Sequence, residues 1–169
     1  IFSQAGKNVH AGGNLGTPFI SLLDQGDADY IILELSSFQM EATSGLYPVA
    51  SIILNISPDH MDRHKDFASY VELKKKVFTH QTQKDFLILN QDDPNTRDLG
   101  KDCPAECVLF STQAELEKGV FLRGDKIIAR LNNSEMEVLS LESLSRGMQW
   151  QIENILPAIA TALLFNLPQ

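Results

Sequence analysis

Ser51-Ile52-Ile53-Leu54-Asn55-Ile56 is a β-branched apolar run closed by Ser57-Pro58, and the polar cluster Asp59-His60-Met61-Asp62-Arg63-His64 follows directly. Such a run reads as a buried strand with a loop at its carboxyl end. The same form occurs at Tyr30-Ile31-Ile32-Leu33-Glu34-Leu35, which enters Ser36-Ser37-Phe38-Gln39, and at Phe86-Leu87-Ile88-Leu89, which enters Asn90-Gln91-Asp92-Asp93-Pro94. Continuous apolar strands separated by helix-length segments specify an α/β chain, with a mostly parallel sheet flanked by helices on both faces. Ligands of such sheets bind beyond the carboxyl ends of the strands, where Glu34, His60 and Asp92 fall. Asp92-Asp93-Pro94 reads equally well as a turn and helix cap.

Downstream of the histidine loop, the spacing predicts a helix from Phe67 to about Gln81. At about 100° per residue, Phe67, Tyr70, Val71, Val77, Phe78 and Gln81 fall on the same side as Lys74, while Glu72, Lys75 and Lys76 point elsewhere. Lysine is rarely buried without a reason. Desolvation there would favour a neutral amine able to react or bind a ligand. The alternative is a stem that snorkels to water.

Ala11-Gly12-Gly13-Asn14-Leu15-Gly16-Thr17-Pro18 reads as a glycine-rich turn into a helix over residues 17–23. Small residues let backbone approach a ligand, and a helix amino terminus favours anions. A simple tight turn is the competing reading. It is not a P-loop, because the Gly-x-x-x-x-Gly-Lys-Ser/Thr pattern is absent from the sequence. A covering helix is expected over residues 38–43, with Gly45 as its stop.

From Gly119 onward the texture changes to short strands separated by the turn pairs Gly124-Asp125 and Asn132-Asn133. This predicts a small antiparallel three-stranded sheet attached to the main one. Residues 155–165 read as an apolar helix stopped at Asn166-Leu167-Pro168. Residues 1–5 read as the tail of a helix stopped by Gly6, and with Ile1 in place of an initiator methionine the expectation is an excerpt of a longer protein.

A length of 169 residues suits one domain with one sizeable core. The formal net charge of -8, without a basic patch, argues against a nucleic-acid partner. Anionic substrates would have to be held locally, by backbone amides and metal ions. Cys103 and Cys107 flank Pro104 and match neither a zinc site nor a disulfide framework, which suits a reducing cytosol. No apolar run approaches the roughly 20 residues of a membrane span, and no signal peptide is present, so a soluble, cytoplasmic chain is expected.

Glu34-Leu35-Ser36-Ser37-Phe38-Gln39-Met40-Glu41, Gly12-Gly13-Asn14-Leu15-Gly16, Asp59-His60-Met61-Asp62-Arg63, the Tyr70-x-x-x-Lys74 spacing and Asn90-x-Asp92-Asp93 together resemble the Mur ligases. The resemblance spans nearly the whole chain. It is strongest to the branch that joins D-glutamate to UDP-N-acetylmuramoyl-L-alanine, since sister ligases and folylpolyglutamate synthases differ after the glutamate of Glu-Leu-Ser-Ser-Phe-Gln. It implies that residues 1–169 are the central, ATP-binding domain of such a ligase, beginning after its P-loop strand. The amino-terminal UDP-binding and carboxyl-terminal domains would lie outside this sequence. The implied activity is ATP-dependent amide ligation through an acyl phosphate in peptidoglycan precursor synthesis, with the excerpt alone inactive.

The resemblance also implies roles for residues. Glu34 matches a ligand of the magnesium ion that bridges the ATP β- and γ-phosphates. His60 and Lys74 match ligands of a second magnesium, with the lysine carbamylated. Asn14, Ser36 and Gln39 match contacts to the muramoyl substrate or phosphates, although Ser36 also reads as a helix cap. Asn154 matches a residue near the adenine, and an asparagine at a helix start is commonly a cap. The family's Gly-x-His-Asn-x-x-Asn pattern is replaced here by Met148-Gln149-Trp150-Gln151-Ile152-Glu153-Asn154, and Trp150 could stack on a base or pack in the core. Two other classes compete. A metal-dependent hydrolase could use Asp59-His60-x-Asp62, but no second histidine cluster supports it, and His10, His64 and His80 read as surface residues. A non-catalytic nucleotide-sugar-binding module is the third.

Overall fold

The computed structural model describes residues 1–149 and 151–168; Trp150, and with it the stacking question, lies outside them. Strand β1 (Val9–Gly13) pairs in parallel with β2 (Tyr30–Glu34), Val9 opposite Tyr30 and Gly13 opposite Glu34. A second sheet runs in the order β3 (Ala50–Ile53), β4 (Phe86–Asn90), β5 (Glu106–Ser111), β6 (Gly119–Arg123), β7 (Lys126–Leu131), β8 (Ser134–Ser140). Its pairings are parallel from β3 to β6 and antiparallel from β6 to β8. Helices α1 (Ser37–Ala42), α2 (Phe67–Lys75), α3 (Arg146–Gln149) and α4 (Ile152–Leu164) complete the α/β architecture.

Two refinements to the expected sheet follow. The antiparallel meander is continuous with the parallel half, because β6 is hydrogen-bonded to β5 with Gly119 opposite Leu109. The run at Tyr30, in contrast, pairs with β1 and not with β3. Strand β1 was hidden inside the glycine-rich segment, since two of its five residues are glycines, which strands disfavour.

Strand β4 explains the unbroken apolar run at Phe86. Leu87 and Leu89 pack with Ile53, Ile56, Tyr70 and Phe78 on the α2 side, whereas Ile88 packs with Val108, Phe110, Leu156 and Ala160 on the α4 side. A strand covered on both faces needs apolar residues at every position. Strand β2 does not fit that expectation: Ile31 and Ile32 are 49% and 46% exposed.

Several element boundaries differ from the sequence reading, each for a local reason. The Ser51 run leaves the ladder after Ile53, because side chains of the β4 turn take over its backbone groups. Asn90 Nδ2 donates to the Leu54 carbonyl at 2.9 Å, the Ile56 N–H donates to Asp93 Oδ2 at 2.6 Å, and Asn95 Nδ2 donates to the Ile56 carbonyl at 2.8 Å. Helix α2 starts on Asp66, whose carboxylate accepts the Ser69 N–H at 2.7 Å, and runs into a short 3-10 turn over Lys76–Phe78. It stops short of Gln81, whose buried amide instead donates to the carbonyls of Pro48 and Phe86. The helix expected over residues 17–23 is a 3-10 helix, Phe19–Gln25. Pro18 disfavours helical backbone at Thr17, and the Thr17 carbonyl is already taken by the Gly13 N–H at 2.9 Å.

At the carboxyl end of α4, Asn166 adopts φ 51° and the Leu167 N–H reaches back to the Ala162 carbonyl at 2.9 Å, the expected stop. Near the start, Ile1 to Lys7 forms a turn closed by Gly6 at φ 76° rather than a regular helix. Among the described residues no helix is long and apolar enough to cross a membrane.

Candidate functional site

The glycine-rich turn holds one candidate residue against another. A Cβ at Gly12 would lie 2.1 Å from the Thr17 carbonyl oxygen, and Gly13 has φ +113° with its hypothetical Cβ 2.2 Å from the Glu34 carbonyl oxygen. Only glycine permits this approach of backbone to backbone. It brings the Asn14 N–H to the Glu34 carbonyl at 2.7 Å and Asn14 Nδ2 to Glu34 Oε1 at 3.4 Å. Glu34, the last residue of β2, is exposed at the carboxyl end of that strand.

Immediately after it, Ser36 caps α1. The Gln39 N–H donates to Ser36 Oγ at 3.3 Å and the Ser36 N–H donates to Gln39 Oε1 at 2.9 Å, a reciprocal capping box. Ser36 matches the capping reading, and Gln39 is its partner in the box; a substrate contact would have to be made from this locked arrangement.

His60 sits at φ 55°, with its N–H on Asp59 Oδ1 at 2.8 Å and its ring Nε2 3.4 Å from Asp59 Oδ2. Its side chain is 51% exposed, and its ring centroid lies 4.9 Å from that of Phe38. The loop turns back because the N–H groups of Arg63 and His64 both donate to the His60 carbonyl, at 3.0 and 3.1 Å. Arg63 lies over the Phe38 ring at 4.8 Å.

The surface reading of two histidines is overturned. His64 is 5% exposed and His10, on β1, is 8% exposed; His80 is exposed and stacks on Tyr47. His64 Nε2 and Ser37 Oγ share a hydrogen bond of 3.0 Å, and His64 Nδ1 lies 3.8 Å from Glu41 Oε1. Serine, histidine and glutamate in that order suggest a hydrolytic triad. The Ser37 hydroxyl, however, is buried at 3% exposure, and 3.8 Å is too long for the orienting hydrogen bond. A lone loop histidine between Arg63 and Lys65 carries no periodic signal, so nothing in the sequence announced its burial.

Lys74 is half-buried on α2, with Nζ 5.5 Å from the centre of the Tyr70 ring. Tyr70 is the buried residue of that helix. Its phenol is pushed above the usual tyrosine value, chiefly by burial and further by the Asp59 carboxylate. Phe38 of α1 meets the His60 ring and α1 packs on α2, which carries Lys74; among the described residues no hydrogen bond, ion pair or ring contact joins Glu34, His60 and Lys74 directly. Among the described residues, no group of three or more histidine, cysteine, aspartate or glutamate side chains is gathered to hold a metal.

The carboxylates after β4 are committed to the protein. Asp92 accepts from the Ser111 hydroxyl and from the N–H and hydroxyl of Thr112, and Asp93 accepts from Ile56 and Asn95 N–H groups. Of the turn-and-cap reading only the turn is observed, closed by the Asn95 N–H on Asp93 Oδ1; no helix starts there among the described residues. Asn154 is an exposed residue in the first turn of α4, where Gln151 takes the cap position instead. At the far end of α4, the Phe165 ring meets those of Phe86 and Tyr30, the first residues of β4 and β2. The helix therefore runs back from the carboxyl side of the strands, with Asn154 at that end.

The model of the Mur ligase middle domain matches residues 8–162. The chain belongs to the Mur ligase family. This Mur ligase domain is similar to UDP-N-acetylmuramoylalanine--D-glutamate ligase of Pelotomaculum thermopropionicum, 38% identical over 163 residues, covering 96% of this chain and 36% of the relative. It is also similar to the protein of the same name from Alkaliphilus metalliredigens, 36% identical over 168 residues, covering 99% of this chain and 37% of the relative. The Mur ligase domain therefore spans little more than a third of the length of these relatives. In three dimensions it is similar to the MurF ligase of Thermotoga maritima solved in complex with ADP, with a TM-score of 0.64 and 18% identity, covering 98% of this chain and 41% of that one. At that identity the likeness concerns the fold.

Proposed function

We propose that the whole protein is an ATP-dependent ligase that joins D-glutamate to UDP-N-acetylmuramoyl-L-alanine in cytoplasmic peptidoglycan precursor synthesis, and that residues 1–169 are its central domain. The names of the relatives support the substrates. The observation that carries the reading is Glu34, an exposed carboxylate at the carboxyl end of a parallel strand, gripped by Asn14 from a glycine-rich turn. Strands β2 and β3 each keep an unpaired edge among the described residues, and Ile31, Ile32 and Ile52 are exposed there. That supports a further strand, carrying the P-loop, between them. The uridine and D-glutamate sites belong to parts outside residues 1–169, and the excerpt alone is inactive.

In this reading the substrate carboxylate takes the γ-phosphoryl group of ATP, releasing ADP. The amine of D-glutamate then attacks the acyl carbon, phosphate leaves, and the amine loses a proton. Negative charge gathers throughout, and magnesium, when bound, neutralises it. The donor set fits that role: Glu34 offers the hard oxygen that magnesium prefers. The loop of His60 and the helix of Lys74 meet where the His64 ring lies against Tyr70, and carbamylation of the amine would add two oxygens where no acidic cluster supplies them. Asn14 orients Glu34, Ser36 and Gln39 contact the muramoyl-linked substrate or phosphates, and Asn154 lies near the adenine.

The test uses full-length protein with ATP, magnesium, UDP-N-acetylmuramoyl-L-alanine and D-glutamate, and the expected products are ADP, phosphate and a D-glutamyl amide. Equal turnover with L-lysine or meso-diaminopimelate would reassign it to a sister ligase. Robust ATP hydrolysis by residues 1–169 alone would favour a hydrolase.

A further inference from the structure

We propose that His64 is a positioning residue whose buried imidazole sets how the β2–α1 turn, the His60 loop and α2 sit relative to one another. The inference rests on the reading of Glu34, His60 and Lys74 as one ligand set.

His64 touches each of the three segments by a different kind of contact. Its Nε2 shares the 3.0 Å hydrogen bond with Ser37, three residues after Glu34. Its backbone N–H donates to the His60 carbonyl at 3.1 Å, fixing the turn on which His60 takes a positive φ. One ring face stacks on Phe38 at 5.5 Å and 16°, and Phe38 in turn meets the His60 ring at 4.9 Å. The ring also meets Tyr70 at 5.0 Å, and Tyr70 lies one helical turn before Lys74 on the same face, beneath its amine.

This job suits imidazole. It combines a flat aromatic face with nitrogen atoms at its edge, so it can pack against the rings of Phe38 and Tyr70 and bind a buried hydroxyl. Phenylalanine would keep the packing and leave the Ser37 hydroxyl without its partner, a costly state for a buried group. The Ser37 end of α1 would then turn to satisfy that hydroxyl and carry the Glu34 side of the site with it. Supports of this kind, which touch no ligand themselves, typically change metal affinity by roughly 10- to 100-fold.

The experiment compares full-length wild type with His64→Phe, His64→Gln, Ser37→Ala and the His64→Phe/Ser37→Ala pair, with the exposed His80→Phe as control. Binding of Mn2+ with a non-hydrolysable ATP analogue is read by electron paramagnetic resonance, alongside the Mg2+ requirement of ligation and the thermal midpoint. His64→Phe and Ser37→Ala should each weaken Mn2+ binding and raise half-saturating Mg2+ about tenfold. The double variant should be no worse than either single one, because both remove the same link. His64→Gln should recover part of the loss, and His80→Phe should match wild type. A lowered thermal midpoint with unchanged Mn2+ affinity and Mg2+ requirement would overturn the proposal and leave His64 a packing residue. Should His64→Phe fail to fold, Ser37→Ala reports the same quantities. Failure of the functional reading looks different, since wild type itself would then make no D-glutamyl amide.

Discussion

Asn14 reaches Glu34 twice across 20 positions of sequence, its backbone N–H on the carbonyl at 2.7 Å and its side-chain amide on the carboxylate at 3.4 Å. The second contact selects one rotamer of an otherwise free, exposed carboxylate. Replacing Asn14 by alanine keeps the backbone bond and removes the rotamer control. In full-length protein, ligation should fall by roughly 10- to 100-fold with a raised Mg2+ requirement. Unaltered kinetics would show that Glu34 needs no such guide.

Gly13 makes that approach possible, so Gly13→Ala tests the turn directly. Its φ of +113° is strained for any side chain, and the new methyl would press on the Glu34 carbonyl. Strain of this kind costs on the order of 1–3 kcal/mol before the clash is counted. Urea unfolding should show at least that loss, and a change within about 0.5 kcal/mol, typical of neutral surface sites, would contradict the geometry.

Lys74→Ala should reduce ligation by full-length protein beyond the roughly 100-fold limit expected of a merely supporting group. Short carboxylic acids should restore part of the rate by supplying the missing oxygens. Unchanged turnover would mean that the amine over Tyr70 simply packs its stem and reaches water.

Glu135 gives a pH signature remote from the site. Hydrogen bonds from Arg123, then Arg130, hold its carboxyl down to about 2, against an ordinary value of 4.5. A value lowered by folding adds stability that is fully present above about 4.5 and lost as pH falls through about 2. The difference in thermal midpoint between wild type and Glu135→Gln should therefore shrink steadily across that window. A constant difference would mean that the network contributes no charge-dependent stability, which is the usual fate of an exposed pair.

What the sequence disclosed was mainly what depends on local pattern. The buried run at Phe86, the stop at Asn166 and the turn pairs around β7 each carry their own signal, and each matches the fold. Glu34 and Asn14 were legible as a polar end and a glycine turn, but their contact with one another was not. Strand β1 escaped because glycine carries no strand propensity, and pairing with β2 alone makes Val9–Gly13 a strand. His64 escaped because its burial is built by α1 and α2, whose contributing residues Ser37, Phe38 and Tyr70 are scattered along the chain. The helix at Lys74 was placed on the correct side of Tyr70 but drawn too long, since Gln81 is held by carbonyls of other segments.

The reversal of strand direction at β6 divides the large sheet into two kinetic classes. Lys126 follows Arg123 after the Gly124-Asp125 turn, whereas β4 meets β3 only after residues 54–85 have been gathered in. Chain closure grows more costly by roughly 0.6 kcal/mol per doubling of the intervening length. The hairpins of the meander are thus the inexpensive nucleus, offering a ready edge on which β5, and then β4 and β3, can be laid. Pulse-labelled amide exchange during refolding should protect Val120 and Ile128 before Ile52; simultaneous protection would mean that the two halves assemble as one unit.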